Sequence, residues 1–292
     1  MFSGSLVAIV TPMRPDGSLD FPAWRRLLDF HLDNGTNGIV VGGTTGESVS
    51  LSDEEIFELA RHACEHVKHR IPVLAGAGTS STAATVARVR HLSRLPLDAL
   101  LVVTPAYNRP TQEGLYRHFA AVAESTPLPV VLYNVPARTA VDMLPSTVAR
   151  LAQLSGIVGI KEAVAQVSRV RELLDSCADG FLVLSGDDAT AREAMLAGAR
   201  GVISVTANIA PRAMADLAAA AAAGERVAAA RLDASLAGLH RDLFIEANPI
   251  PAKWLLARME LIDAGIRLPL TELATTYHAA VHASARAAGV SF

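Results

Sequence analysis

The sequence predicts an α/β fold, a (β/α)8 TIM barrel of parallel strands followed by a C-terminal helical extension. Eight short apolar runs rich in β-branched residues continue without alternation, as strands buried on both faces do. Segments with helical periodicity separate them, which predicts parallel strands joined by crossover helices. Eight such units within residues 1–224 of a 292-residue chain fit an eight-stranded barrel. A doubly wound open sheet is the alternative that this pattern leaves.

Strands and helices alternate strictly along the barrel segment. The predicted strands are Leu6–Val10, Gly38–Val41, Ile71–Leu74, Ala99–Val103, Val130–Tyr133, Ile157–Ile160, Phe181–Leu184 and Val202–Val205. The predicted helices are Asp20–Leu32, Ser52–Val67, Thr82–Leu92, Gln112–Glu124, Pro145–Leu154, Val167–Cys177, Ala189–Ala197 and Pro211–Ala223. The second helix opens with a capping-box pattern, in which Glu55 follows Ser52 by three residues.

The strand signal stops at Gly224, and only helical patterns follow. These patterns cover residues 225–243, 251–259 and 271–288. No linker rich in glycine, serine or proline separates them from the barrel. We therefore expect a catalytic barrel over residues 1–224 and a helical extension over residues 225–292.

Composition excludes several classes of protein. The chain is 51% hydrophobic and 19% charged, so it has ample apolar surface for a core and is not disordered. Its net charge of −3 gives no reason to expect a nucleic acid partner. The longest uncharged stretch, Ile71–Ala87, contains a proline and two glycines and does not resemble a membrane span. We therefore expect a cytoplasmic globular protein.

Lysine is rare in this chain, and one lysine lies where a barrel has its active site. Of 26 basic residues only Lys68, Lys161 and Lys253 are lysines. Lys161 follows predicted strand six, and active sites of such barrels lie at the carboxyl ends of the strands. A neutral amine there can attack a ketone to form a Schiff base. The alternative is an ion pair with Glu162 or Asp187, and position alone does not decide between them.

Other polar residues follow the neighbouring strands. The loop Gly43–Glu47 contains Thr44 and Thr45 and can offer hydroxyl and N–H groups to a carboxylate, although it also fits a plain turn. Tyr107 and Tyr133 can relay protons or simply pack at the rim. Arg138 can bind a carboxylate with two hydrogen bonds or remain solvated.

No metal or cofactor is expected. The sequence His62-Ala63-Cys64-Glu65-His66 matches a zinc peptidase pattern. However, both histidines lie about 110° from the apolar stripe of their helix, on its solvent side. The loops after strands seven and eight lack a glycine-rich phosphate cradle, which speaks against pyridoxal phosphate.

Three motifs in order resemble the dihydrodipicolinate synthase family of Schiff-base aldolases, which is related to N-acetylneuraminate lyase. They are Gly43–Glu47, Tyr133–Thr139 and Gly159–Glu162, and the likeness runs from Phe2 to Pro251. The resemblance implies that Lys161 condenses with pyruvate and that the enamine adds to L-aspartate 4-semialdehyde. The product would be 4-hydroxy-tetrahydrodipicolinate, and the reaction would be the first committed step of the diaminopimelate and lysine pathway.

The resemblance also implies a role for each site residue. The substrate-binding residues would be Thr45 for the pyruvate carboxylate, Arg138 for the semialdehyde carboxylate, and Gly186 and Ile203 as pocket lining. A proton relay would consist of Tyr133, Thr44 and, from a neighbouring subunit, Tyr107. No cofactor is implied beyond the covalent Schiff base, and the expected assembly is a homotetramer built as a dimer of dimers.

Departures from the family pattern concern regulation. Ala84, Ser80 and Ala106 stand where lysine-inhibited members have a carboxylate, an asparagine and a tyrosine, so we expect weak or absent feedback by lysine. Two alternatives to the main interpretation remain. One is another pyruvate-dependent aldolase or a sugar-acid dehydratase, and the other is a non-catalytic protein that binds a keto acid.

Overall fold

The computed structural model describes residues 2–292 and shows a closed barrel of eight parallel strands. Each strand pairs with the next along the chain, and β1 pairs with β8 to close the barrel. The strands are β1 Gly4–Ala8, β2 Gly38–Val41, β3 Val73–Gly76, β4 Ala99–Val103, β5 Val130–Asn134, β6 Ile157–Glu162, β7 Leu182–Ser185 and β8 Gly201–Ser204. The predicted fold class is confirmed, and the open sheet is excluded.

Helices surround the barrel and form the C-terminal part. They are α1 Phe21–Asp33, α2 Asp53–Val67, α3 Thr82–Leu92, α4 Gln112–Glu124, α5 Pro136–Thr139, α6 Pro145–Leu151, α7 Val167–Ser176, α8 Ala191–Leu196, α9 Pro211–Ala222, α10 Arg226–Asp242, α11 Ile250–Arg258 and α12 His278–Ala287. Short 3-10 turns occupy Thr206–Asn208 and Thr275–Tyr277. Both hydrogen bonds of the predicted capping box are present at the start of α2.

Several predicted ends of strands and helices differ from the structure, and three differences stand out. Lys161 lies within β6 rather than after it. Helix α5 was not among the predicted helices, because its four residues form only about one turn and are too few to show periodicity. The last helix begins at His278 rather than near residue 271. There, burial of Leu273 in the core and a hydrogen bond that Nε2 of His278 donates to the Leu273 carbonyl oxygen hold the preceding segment out of helical geometry.

The core consists of two layers, one on each face of the barrel strands. Side chains on the outer face of the strands, such as Leu132 and Ile160, pack against the helices. Side chains on the inner face, such as Val131, Tyr133 and Leu184, fill the barrel. Because successive residues of a strand point to opposite faces, Lys161 points inward and Glu162 outward.

The C-terminal helices pack on the barrel and reach its carboxyl end. Helix α10 packs against α8 and α9, and α12 packs against α10. Phe244 and Asn248, between α10 and α11, line a cavity at the strand ends. Within residues 2–292, no helix is both long and apolar enough to cross a membrane.

Candidate active site

A cavity of about 370 Å³ opens at the carboxyl ends of the strands. Six of the eight predicted site residues line it, namely Thr44, Thr45, Tyr133, Arg138, Lys161 and Gly186. A second groove, of about 430 Å³, runs along α9 and the C-terminal residues and contains none of the predicted residues. Only the first cavity combines titratable groups with the position at which such barrels carry out chemistry.

Lys161 projects into this cavity. Its side chain is buried, and Nζ lies 4.4 Å from the centroid of the Tyr133 ring. No carboxylate oxygen in residues 2–292 lies within 4.0 Å of Nζ. Glu162 is bound on the outer face by Asn134 and Val164, and Asp187 accepts from Thr190. The alternative of an ion pair for Lys161 is therefore wrong.

Strand register explains why these two side chains meet. Tyr133 and Lys161 are partners across β5 and β6, so both point inward at the same height. Gly186 follows β7 and leaves the room that the lysine needs. A Cβ at this position would lie 3.0 Å from Cε of Lys161 and 3.1 Å from the carbonyl oxygen of Glu162.

The loop after β2 presents donors to the cavity. Within the described residues, the N–H groups of Thr44 and Thr45 make no hydrogen bond to a backbone carbonyl. The buried hydroxyl of Thr45 accepts a hydrogen bond of 2.9 Å from Nδ2 of Asn248, which leaves its own proton free to donate. Two N–H groups and a hydroxyl proton together suit a carboxylate.

A buried ion pair stabilises the conformation of this loop. Glu47 has a positive φ of 59°, and its carboxylate accepts from Nζ of Lys253 at 2.5 Å. Both side chains are almost completely buried. Burial lowers the pKa of Lys253, and the Glu47 carboxylate opposes that change. The pair fixes the loop that carries Thr44 and Thr45.

The remaining predicted residues lie at the rim or beneath the site. Arg138, on α5, is exposed at the mouth of the cavity and has no carboxylate partner in residues 2–292. Tyr107 is 94% exposed, with a φ of 74°, and does not line the cavity of its own chain. Ile203 is buried in the barrel interior, and its side chain is not part of the cavity wall.

Two residues of the wall come from a part of the chain for which the sequence predicted no role in the site. Asn248 and Phe244 come from the C-terminal part, some distance from every predicted strand end. Asn248 stands in the segment Asn248-Pro249-Ile250-Pro251, which was used only to mark the extent of the resemblance. A polar side chain followed by two closely spaced prolines, Pro249 and Pro251, was the signal that could have identified it.

The side chains of the histidine motif contact other residues of the chain. The His62 ring packs on Phe21, with centroids 4.4 Å apart, and Nε2 of His66 lies 2.6 Å from an oxygen of Asp29. Within residues 2–292, no three histidine, cysteine or acidic side chains are grouped as metal ligands would be.

Comparison with known proteins extends the likeness to the whole chain. The model of the dihydrodipicolinate synthetase family matches residues 1–288. A 4-hydroxy-tetrahydrodipicolinate synthase of Methylococcus capsulatus is 54% identical over 290 residues, covering 99% of this chain and 100% of the relative. The crystal structure of a chloride-inhibited dihydrodipicolinate synthase from Acinetobacter baumannii, complexed with pyruvate, superimposes with a TM-score of 0.98 at 48% identity and covers 100% of both chains.

A further solved structure, described as the first monomeric dihydrodipicolinate synthase variant, has a TM-score of 0.97 and 40% identity and covers 99% of this chain and 98% of its own. Sequence and fold thus agree with these relatives over 99–100% of this chain. The chain belongs to the dihydrodipicolinate synthetase family.

Proposed function

We propose that this chain catalyses the Schiff-base aldol condensation of pyruvate with L-aspartate 4-semialdehyde to 4-hydroxy-tetrahydrodipicolinate. The observation that carries the proposal is the buried amine of Lys161, which faces a cavity and has no carboxylate partner within residues 2–292. Full-length relatives at 51–54% identity carry the name of this synthase. The first solved neighbour described above binds pyruvate.

The chemistry requires a nucleophilic amine and groups that move protons. Nζ of Lys161 attacks the keto carbon of pyruvate, and the carbonyl oxygen leaves as water to give an iminium ion. Loss of a methyl proton gives the enamine, whose carbon forms the new bond to the aldehyde. The amino group of the semialdehyde then attacks the imine carbon, which closes the ring and releases the lysine. We assign these proton transfers to Tyr133, Thr44 and Tyr107.

The two substrate carboxylates have separate sites in this proposal. Thr45 and the N–H groups of its loop receive the pyruvate carboxylate, since these donors belong to residues that line the cavity and have no acceptor within residues 2–292. Arg138 binds the carboxylate of the semialdehyde at the mouth, where a guanidinium can donate two parallel hydrogen bonds. Gly186 and the backbone of Ile203 complete the pocket.

Assembly and location follow from the same proposal. Tyr107 can serve as a proton relay only in the site of another copy, because it lies outside the cavity of its own chain. We therefore propose a homotetramer, a dimer of dimers, in the cytoplasm. The barrel over residues 1–224 acts as the catalytic domain, residues 225–292 as its helical extension, and no cofactor is required.

The decisive experiment is reduction with borohydride in the presence of pyruvate, followed by intact mass and peptide mapping. We expect a reduced pyruvyl adduct on Lys161. Lys161→Arg should abolish the adduct, whereas Lys68→Arg, at an exposed position, should leave it unchanged. An adduct on another residue would refute the assignment of Lys161.

The adduct alone does not identify the aldehyde. Turnover with aspartate semialdehyde, compared with a panel of sugar-acid aldehydes, distinguishes the synthase from another pyruvate-dependent aldolase or a dehydratase. Absence of any adduct from folded protein would instead favour a non-catalytic protein that binds a keto acid.

A further inference from the structure

The two strands that carry Tyr133 and Lys161 also carry a polar pair on their opposite face. Asn134 and Glu162 are register partners across β5 and β6, one residue beyond the inward pair. Both are almost completely buried between the barrel and the helices. The mechanism proposed above uses neither of them, and burial of polar groups is costly unless they are fully bonded.

Four side chains form this cluster, which we call the outer clamp: Asn134, Asp142, Glu162 and Arg169. Nδ2 of Asn134 lies 3.1 Å from both carboxyl oxygens of Glu162 and 2.8 Å from Oδ1 of Asp142. Arg169, on α7, donates two hydrogen bonds to Asp142, at 2.9 and 2.8 Å. One of its nitrogens lies 3.6 Å from Glu162.

The outer clamp also binds backbone on both sides of the site. Oδ1 of Asn134 accepts from the N–H of Met143 at 3.0 Å, and Oε1 of Glu162 accepts from the N–H of Val164 at 2.8 Å. The first bond closes residues 134–143, the segment that carries Arg138. The carbonyl oxygen of Glu162 accepts from the N–H of Gly186 at 2.7 Å. The segments that carry four proposed site residues are therefore tied to one cluster.

Burial of charged groups in the outer clamp is unfavourable for the free energy of folding, so a purely structural role does not explain the cluster. Burial raises the pKa of Glu162 to about 7, although the donors of Val164, Asn134 and Arg169 lower it. Asp142, the other carboxylate of the cluster, raises it further. Replacing buried ionic groups by apolar residues of similar volume is often neutral or stabilising. Geometric control of the strand ends is the advantage that an apolar replacement would lose.

We propose that the outer clamp consists of positioning residues that hold Lys161, Tyr133 and Arg138 in reactive geometry. This inference rests on the proposed Schiff-base function. Because inward and outward residues alternate along one strand, a rotation or slip at Asn134 and Glu162 moves Tyr133 and Lys161 directly. A displacement of about 1 Å can lower a rate by about 10²-fold.

Glu162→Gln tests the proposal, because it keeps the size of the side chain and removes its charge. We expect kcat to fall about 10- to 100-fold and borohydride trapping of pyruvate to slow to a similar extent. The free energy of unfolding at pH 8 should not fall, since the variant no longer buries a charge. A merely structural role would lower stability and leave the kcat of the folded fraction unchanged.

Two further variants make the test robust. Arg169→Lys keeps the charge but loses the two-pronged hydrogen bond to Asp142, so kcat should fall by a smaller factor even if the glutamine variant does not fold. Asp98→Asn is the matched control, because Asp98 also accepts a backbone N–H, that of Val73, but at the amino end of the strands. It should leave kcat unchanged.

The outcomes separate this inference from the function on which it rests. Wild-type protein that forms no pyruvate adduct would overturn both. Wild-type protein that forms the adduct, with a kcat of Glu162→Gln and Arg169→Lys within twofold of it, would overturn the positioning role alone. A loss of kcat in the clamp variants that Asp98→Asn does not share supports it.

Discussion

Replacing Lys253 with methionine should destabilise the fold and weaken pyruvate binding together. Lys253 neutralises Glu47 beneath the loop that carries Thr44 and Thr45. Methionine has a similar length and fills the same space without the charge. The variant therefore leaves a buried carboxylate beside the proposed pyruvate site.

The magnitude follows from the burial of the two side chains. Lys253 is 3% exposed and Glu47 is 1% exposed, and removal of one partner of such a pair costs about 3–5 kcal/mol. The N–H of Arg267 lies 3.4 Å from the other oxygen of Glu47, too far to compensate. At about 2 °C per kcal/mol for a chain of this size, Tm should fall by about 6–10 °C.

A double-mutant cycle isolates the charge. Glu47→Gln, Lys253→Met and the combination are compared by thermal unfolding and by the pyruvate concentration that gives half-maximal borohydride trapping. The combined variant should be more stable than Lys253→Met alone, because no unpaired charge remains buried. Lys68→Met, at an exposed position, serves as the control and should change Tm little.

Two results would refute this reasoning. One is a cost below about 1 kcal/mol for Lys253→Met, within the range for exposed pairs. The other is a combined variant at least as unstable as the sum of the single ones, which would mean that packing rather than charge explains the loss.

Three other expectations concern acid–base behaviour, specificity and regulation. The pKa of Glu162 is raised from about 4.5 to about 7, so the folded state holds the extra proton. The free energy of unfolding should decrease by about 3 kcal/mol as pH rises through this window, and Glu162→Gln should lack that decrease in urea titrations. Arg138→Leu should raise KM for aspartate semialdehyde by about 10- to 100-fold while pyruvate trapping stays unchanged; equal effects on both substrates would contradict its assignment. Millimolar lysine should inhibit the initial rate weakly or not at all, given Ala84, Ser80 and Ala106, and halving of the rate would refute this.

The fold was predictable because it depends on local patterns. Parallel strands covered on both faces are continuous apolar runs, and eight of them alternating with helices leave few architectures. The ends of the strands were less predictable. For example, β3 begins at Val73 rather than Ile71, since hydrogen bonds between neighbouring strands determine where pairing starts.

Contacts between distant segments could not be predicted from the sequence. Asn248 reaches Thr45 across 203 residues, and Lys253 reaches Glu47 across 206. No local periodicity records such a contact, because it depends on how the C-terminal helices pack over the barrel. The outer clamp was missed for a related reason, since Asn134 and Glu162 are adjacent to the predicted site residues but face away from them.

The choice between the two interpretations of Lys161 shows most clearly what could not be predicted from the sequence. In a strand that is apolar on both faces, the sequence does not reveal which residues point inward. Either Lys161 or Glu162 could therefore have faced the cavity. The rarity of lysine did not decide the matter either, since Lys253 is equally rare but has its carboxylate partner, and Lys68 is exposed. What distinguishes Lys161 is a buried amine that faces a cavity and lacks a carboxylate partner within 4.0 Å in residues 2–292. A nucleophile needs a free lone pair. The absence of a carboxylate partner therefore says more about the function of Lys161 than its place near the end of a strand does.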